Sequence, residues 1–387
     1  MPANDASRPA RAARSTDLDL IRIAVCAAVI LAHALLIFAA EKRYHIKSAV
    51  PWQPASVGYE FLRISTMAIF FTLAGWAAIA SLRRRDARHF LHERVTRVLL
   101  PLAAGILLLG PIIKYIELRH GRDLTLMGFH LVPPLRLSFP AFLPRYYTRL
   151  NLLTWSHLWF LAYLFLISLI LLPVLTRLAR LPARAEAAPG WMAYAPVVPI
   201  AALLASFHGY WPFLPDLLTD WTNFTYFALC FVLGAVMATW PGFEETVRRH
   251  AAGLALLGGL GFLGVIAWGP SVPGRLAVAA TAWGSVGGAL GLARRFAPSP
   301  GPLLSYLSEA TLPVYIIHHV FVLWIGEALL PLLWPPAITI LAIWLPASLA
   351  SLAAYHWLIR PYAWPRRLTG MGPPPARPST AAPLIAK

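Results

Sequence analysis

The sequence predicts an all-α polytopic membrane helix bundle of about ten transmembrane helices. Three observations carry this reading: 58% of the 387 residues are hydrophobic, only 13% are charged, and the mean hydropathy is +0.63. A soluble domain of this size carries roughly a quarter charged residues and less than half apolar. The composition therefore excludes a soluble enzyme, a coiled coil, a collagen-like chain and a disordered one.

Ten apolar runs have the roughly 17–25-residue length that crosses a bilayer as a helix. They lie at 18–40, 57–82, 97–114, 153–176, 191–207, 222–240, 252–268, 275–293, 303–329 and 337–358. The first is too long for a cleavable signal, follows Asp17 and Asp19, and contains Arg22 and His33, so it reads as a retained helix. An even number of spans puts both termini on one side, and the arginines choose the side, because short cytoplasmic loops are enriched in Lys and Arg. Arg8, Arg11 and Arg14 precede the first span, Arg83 to Arg97 follow the second, and Arg177, Arg180, Arg184, Arg248, Arg249, Arg294 and Arg295 mark three further loops. With Arg360, Arg366, Arg367, Arg377 and Lys387 at the far end, this makes both termini cytoplasmic. The net charge of +17 is then mostly orientation in the lipid bilayer, and no nucleic-acid partner is implied. Cys26 and Cys230 fall inside apolar runs, so neither a disulfide framework nor a cysteine metal site is available. The chain divides into a tail at 1–17, a membrane domain at 18–360 and a Pro/Ala-rich cytoplasmic tail at 361–387.

Ionisable groups at membrane depth are costly and usually face a bundle interior or a wet cavity. Arg22 and His33 are eleven residues apart, which on a helix is about 16 Å of rise and an angular offset of about 20°. They share one face, with Arg22 near the cytoplasmic entrance and His33 past mid-membrane; the structural alternative is an interfacial arginine and a satisfied buried histidine. Glu60 and Arg63 stand at i,i+3, a spacing that suits an ion pair as well as a substrate contact. Arg94 and Arg97 repeat that spacing beside the membrane surface, where two guanidinium groups suit phosphate or simply anionic lipid. His157 and Trp159 open the fourth span, and Tyr315, His318 and His319 sit together in the ninth. Paired histidines can ligate metal, but few acidic or histidine partners stand nearby in sequence, so no metal is expected. No Walker loop, GxGxxG or GxSxG occurs.

These landmarks, taken together, resemble the acyltransferase-3 family of integral membrane acyltransferases. Arg22 with His33 reproduces its Arg, ten residues, His spacing, and Phe70-Phe71-Thr72-Leu73-Ala74-Gly75 resembles its Phe-Phe-x-x-Ser-Gly segment, with Ala74 where Ser is common. Arg94 to Arg97 is similar to its Arg-x-x-Arg, and His157-Leu158-Trp159-Phe160-Leu161 and Ser308 to His319 follow in order. Ser156 to Leu161, Asn223-Phe224 before Leu233-Gly234, and the His318-His319 pair resemble the branch containing the periplasmic glucan succinyltransferase.

The resemblance implies transfer of an acetyl or succinyl group from acyl-CoA, a co-substrate rather than a bound cofactor, to a hydroxyl of an envelope carbohydrate, by a multi-pass inner-membrane protein. On that expectation His33 is the general base, and Tyr315, His318 and His319 orient the acceptor or stabilise an oxyanion. Arg22, Arg94 and Arg97 hold donor phosphates, while Glu60, Arg63, His157 and Trp159 contact substrate. A secondary transporter of a small anion or acylated sugar is the alternative class, although no matching halves are visible in the sequence.

Overall fold

The computed structural model describes residues 16–125, 128–207, 216–217 and 219–372. The arginines of the first tail and the chain after residue 372 lie outside the described residues. The protein is 77% helical, in line with the expected membrane bundle. Its elements run α1 (Thr16–Phe38), α2 (Gln53–Leu82), α3 (Ala87–Arg94), a π-helical turn (Val95–Leu99), α4 (Leu100–Leu108) and α5 (Gly110–Arg119). A two-stranded antiparallel hairpin follows, β1 (Arg122–Thr125) and β2 (Gly128–Leu131). Then come α6 (Phe139–Thr148), α7 (Trp159–Ile170), α8 (Leu172–Arg180), α9 (Val197–Ser206), α10 (Trp221–Thr239) and α11 (Pro241–Arg249). The chain continues through α12 (Ala251–Trp268), α13 (Val272–Phe296), α14 (Pro302–Leu329), α15 (Pro336–Ala354) and α16 (Ala363–Leu368).

Seven of these helices are long and apolar enough to cross a membrane, and up to nine spans result if each of two bent pairs counts as one. The expected runs 97–114 and 153–176 are those pairs, broken by 43° at Gly110 and by 63° at Leu172. Both breaks have a proline at the start of the second segment, Pro111 and Pro173, where the missing N–H interrupts the helical ladder. The expected run 191–207 contains a helix of only 10 residues, α9, preceded by a 3-10 turn. Hydropathy reads apolar length without seeing where the backbone turns, so these three runs looked like the others. The hairpin, too, departs from an all-α expectation; it lies in the long 114–150 connection.

Outward faces show what solvent the bundle is built for. Leu256, Leu260 and Leu263 on α12, and Ile338, Leu341, Leu345 and Leu349 on α15, form stripes of exposed large apolar residues at helical spacing. Such stripes face lipid, and the chain is a multi-pass membrane protein.

Lipid tails are as apolar as leucine, so close backbone packing has to hold such helices together. The crossing of α2 and α10 shows this at Gly75 and Gly234. A Cβ on Gly75 would lie 1.8 Å from the Phe231 carbonyl oxygen, and one on Gly234 would lie 1.8 Å from that of Thr72. The two glycines of the Gly75 and Leu233-Gly234 segments are thus opposite halves of one contact. The segment after the last long helix is also packed: Arg366 is buried and donates to Glu309 at 2.9 Å, so residues 361–372 are docked on the bundle.

We expect Gly234→Ala to force α2 and α10 apart and to destabilise the protein by about 1–3 kcal/mol. A lowered unfolding temperature in detergent checks this, and an unchanged midpoint would contradict the backbone contact.

Candidate functional site

The helices carry five histidines to one place. α1 supplies His33, the 39–52 connection supplies His45, the 3-10 turn before α7 supplies His157, and α14 supplies His318 and His319. Ring centroids are 4.4 Å apart for His33 and His319, 5.3 Å for His33 and His318, 4.7 Å for His157 and His319, and 5.0 Å for His45 and His319. Consecutive residues on a helix point about 100° apart, so on α14 only one of the adjacent pair can face the cavity squarely. His319 lines it; His318 lies behind, fully buried, with Nδ1 2.7 Å from the Tyr315 carbonyl.

A cavity of about 150 Å³ opens beside this cluster. His33, His45, His157 and His319 line it, with Tyr44, Tyr59, Trp155 and Trp159 as flat aromatic walls and Arg43, Arg63 and Asn223 as polar ones. It lies at the end of the bundle where α1 ends and α2 begins, beneath the 39–52 connection and the hairpin, whose Leu124 and Thr125 form part of the wall. The histidine nitrogens are short of protein partners: His33 Nδ1, His157 Nδ1, His318 Nε2 and both nitrogens of His319 are buried without a hydrogen bond among the described residues. A buried polar atom left unpaired costs about 1–3 kcal/mol, so a set of them at a cavity wall marks a place built to meet something polar.

Each residue singled out from the sequence has a definite location. Trp159 lines the cavity and stacks on Phe227. His157 Nε2 is 2.9 Å from the Ile316 carbonyl, and the Tyr315 hydroxyl donates to the His157 carbonyl at 2.5 Å, so Tyr315 ties α14 to the turn before α7 and does not line the cavity. Arg63 lines it while holding Glu60 through two contacts, of 2.9 and 2.5 Å. Arg22, Arg94 and Arg97 do not line it. Arg22 pairs with Asp19 at 3.4 Å one turn earlier on α1, Arg94 lies over the Phe90 ring, and Arg97 stands 3.7 Å from Glu93. Arg97 belongs to the π-helical turn, a rare geometry often found at functional positions, whereas the sequence alone implied a regular helix there.

His33, His318 and His319 also offer one nitrogen each within 4.8 Å of one another, the one trio among the described residues with spacing a metal could use. Sequence reasoning counted partners near residue 319 only, and His33 is far away in the chain. Bonds of 2.0–2.1 Å to a zinc ion would still require the rings to close in.

Sequence reasoning missed His45 and what stands behind it. Lys114, wholly buried, donates to Glu117 and to Asp123 at 2.6 Å each and to the Leu124 carbonyl at 2.8 Å. Glu117 also contacts His45 Nδ1 and accepts from the Leu124 N–H at 2.7 Å. Lys114 and Glu117 fall at the end of one apolar run and their partners in the hairpin and the 39–52 connection, so the only sequence signal was a Lys and a Glu at i,i+3 in an otherwise apolar helix. Asp220 was likewise unmarked. It caps α10 through the Asn223 N–H at 3.3 Å and accepts from the Tyr163 hydroxyl at 2.6 Å, fixing the helix that presents Asn223 to the cavity.

A family model described as an acyltransferase domain matches residues 15–356. Among curated proteins, the glucans biosynthesis protein C of Salmonella typhi and that of Salmonella typhimurium are each 23% identical over 343 residues, covering 83% of this chain and 85% of theirs. The Salmonella heidelberg protein of the same name is 22% identical over the same shares. No solved structure matches.

Burial pushes the Asp220 carboxyl up to about 7 from its ordinary 3.8, against the opposing hydrogen bonds of Tyr163 and Asn223. Because the folded pKa is raised, folding takes up a proton between those values, and stability falls as pH rises through that window. Asp220→Asn carries no charge, keeps one acceptor oxygen for the Asn223 N–H, and turns its amide N–H toward the Tyr163 oxygen, which can accept it. We expect it to unfold about 2–4 °C higher than the parent at pH 8 and to match it near pH 4, read as thermal midpoints across pH.

Proposed function

The chain belongs to the acyltransferase family of that domain model, and from this premise we propose that it transfers a small acyl group, acetyl or succinyl, from acyl-CoA to a hydroxyl of an envelope carbohydrate such as a periplasmic glucan. The observation that carries the proposal is His33 at the wall of the cavity, its Nδ1 unpartnered and three other imidazoles around it. An imidazole suits this role because it can take a hydroxyl proton and pass it to a leaving group. Proton transfer of this kind is typically worth 10²–10⁴-fold.

In this reading the protein is an O-acyltransferase of the inner membrane with both termini in the cytoplasm, as the arginine bias supports. Arg94, Arg97 and Arg22 hold the donor's phosphates at the arginine-rich end of the bundle. α1 is unbroken from Thr16 to Phe38, so Arg22 and His33 are separated by about 16 Å along one face, the order of length of an extended pantetheine arm. The acceptor enters from the opposite end, where Trp155, Trp159 and Tyr59 offer flat apolar faces to a sugar ring and Arg43, Arg63 and Asn223 offer hydrogen bonds. Glu60 acts on substrate through Arg63, which it orients, and Tyr315 and His318 act by positioning His157 and His319.

We expect purified His33→Ala to lose at least about 100-fold in CoA thiol release from acetyl-CoA or succinyl-CoA in the presence of a β-glucan, with unchanged membrane abundance. Full activity in that variant would refute the base assignment. Replacing Arg94 and Arg97 together by Ala raises the KM for donor more than that for acceptor, and an unchanged donor KM would remove them from the phosphate site.

A further inference from the structure

His45 is held between an acid and an alcohol. Its Nδ1 contacts the Glu117 carboxylate, and its Nε2 lies 2.8 Å from Ser156 Oγ. The carboxylate keeps the ring proton on Nδ1, which leaves Nε2 to accept from the serine hydroxyl. Glu117 is itself held in place, since Lys114 and the Leu124 N–H donate to its other oxygen. Ser156 is held in the left-handed region at φ 44°, at the start of the turn that leads into α7, a conformation that costs a non-glycine residue of order 1–3 kcal/mol. Its side chain lines the same cavity as His33 and His319. A serine that only closed a loop would need neither the strained backbone nor a wholly buried lysine and glutamate behind its histidine partner.

We propose that Ser156 is a nucleophile activated by His45 and Glu117, and that the acyl group rests on Ser156 Oγ between donor and acceptor. The proposal rests on the acyl-transfer reading above and deepens it. In the first half, Ser156 Oγ attacks the thioester carbonyl while His45 Nε2 takes its proton. The C–S bond breaks, and the departing thiolate receives that proton from His45 as free thiol. His319, whose ring nitrogens have no hydrogen bond among the described residues, provides an N–H donor for the carbonyl oxygen on the cavity side. In the second half, an acceptor hydroxyl, deprotonated by His33, attacks the seryl ester. The new ester forms on the acceptor, and the proton passes to Ser156 Oγ.

The test uses the full chain in detergent with isotopically labelled acetyl-CoA or succinyl-CoA, first without acceptor. Acid quench and peptide mass spectrometry should find the acyl mass on the peptide containing Ser156, released by mild alkali, and initial rates with both substrates should give parallel double-reciprocal lines. Ser156→Gly relieves the left-handed strain and so should fold at least as well as the parent, while losing at least about 100-fold in transfer. Parent protein that transfers acyl groups with no ester on Ser156, or a Ser156→Gly variant that transfers at the parental rate, overturns the nucleophile and leaves the acyl-transfer function standing. Parent protein that transfers from no acyl-CoA to any glucan overturns both.

Discussion

The Lys114 ammonium, buried between Glu117 and Asp123, organises the cavity end of the molecule. A buried ammonium and carboxylate, with the partly exposed Asp123 carboxylate at their edge, are tolerated only where each finds its counter-charge and its hydrogen bonds, and breaking such a set costs about 3–5 kcal/mol. Here the partners come from four pieces of chain: α5, the hairpin, the 39–52 connection through His45, and the turn before α7 through Ser156. None of those connecting segments is long enough to hold a shape alone. The charge set makes them one wall, and that wall closes the cavity over His33 and His319.

Below it, the bundle obeys the opposite rule. Within the hydrocarbon, helices gain by letting backbones touch, as Gly75 and Gly234 do, and lose by leaving polar atoms unmatched. The imidazole cluster is an exception that the packing tolerates: several ring nitrogens are buried and unpaired among the described residues where Leu or Phe would have packed at no polar cost. Groups kept in that condition beside a cavity point to a site that waits for a hydroxyl and a carbonyl, which matches the chemistry of an acyltransferase.

The helical membrane architecture was legible because both its signals are local. Apolar runs of bilayer length and clustered arginines need no knowledge of contacts. Four of the five histidines were legible for the same reason, each being a polar residue in or beside an apolar run. His45 was not, since it stands in a loop, and its partners Glu117 and Ser156 are 72 and 111 residues away. The breaks at Gly110 and Leu172 were present as Pro111 and Pro173, but a proline in an apolar run marks a break only when the packing lets the second segment leave at an angle.

The sequence by itself determined that this chain is a helical membrane protein, and that Arg22, His33, Arg94 and the later histidines belong to an acyltransferase pattern. Those properties follow from side-chain hydropathy and from spacing along single helices. Tertiary structure alone decided that the histidines converge, that His319 and not His318 faces the cavity, and that a lysine, two carboxylates, His45 and Ser156 form one connected set. The reason is physical: these contacts are made between segments far apart in the chain, where pairing is selected by the cost of burying a charge or an unpaired hydrogen bond rather than by any local preference of the residues that make it.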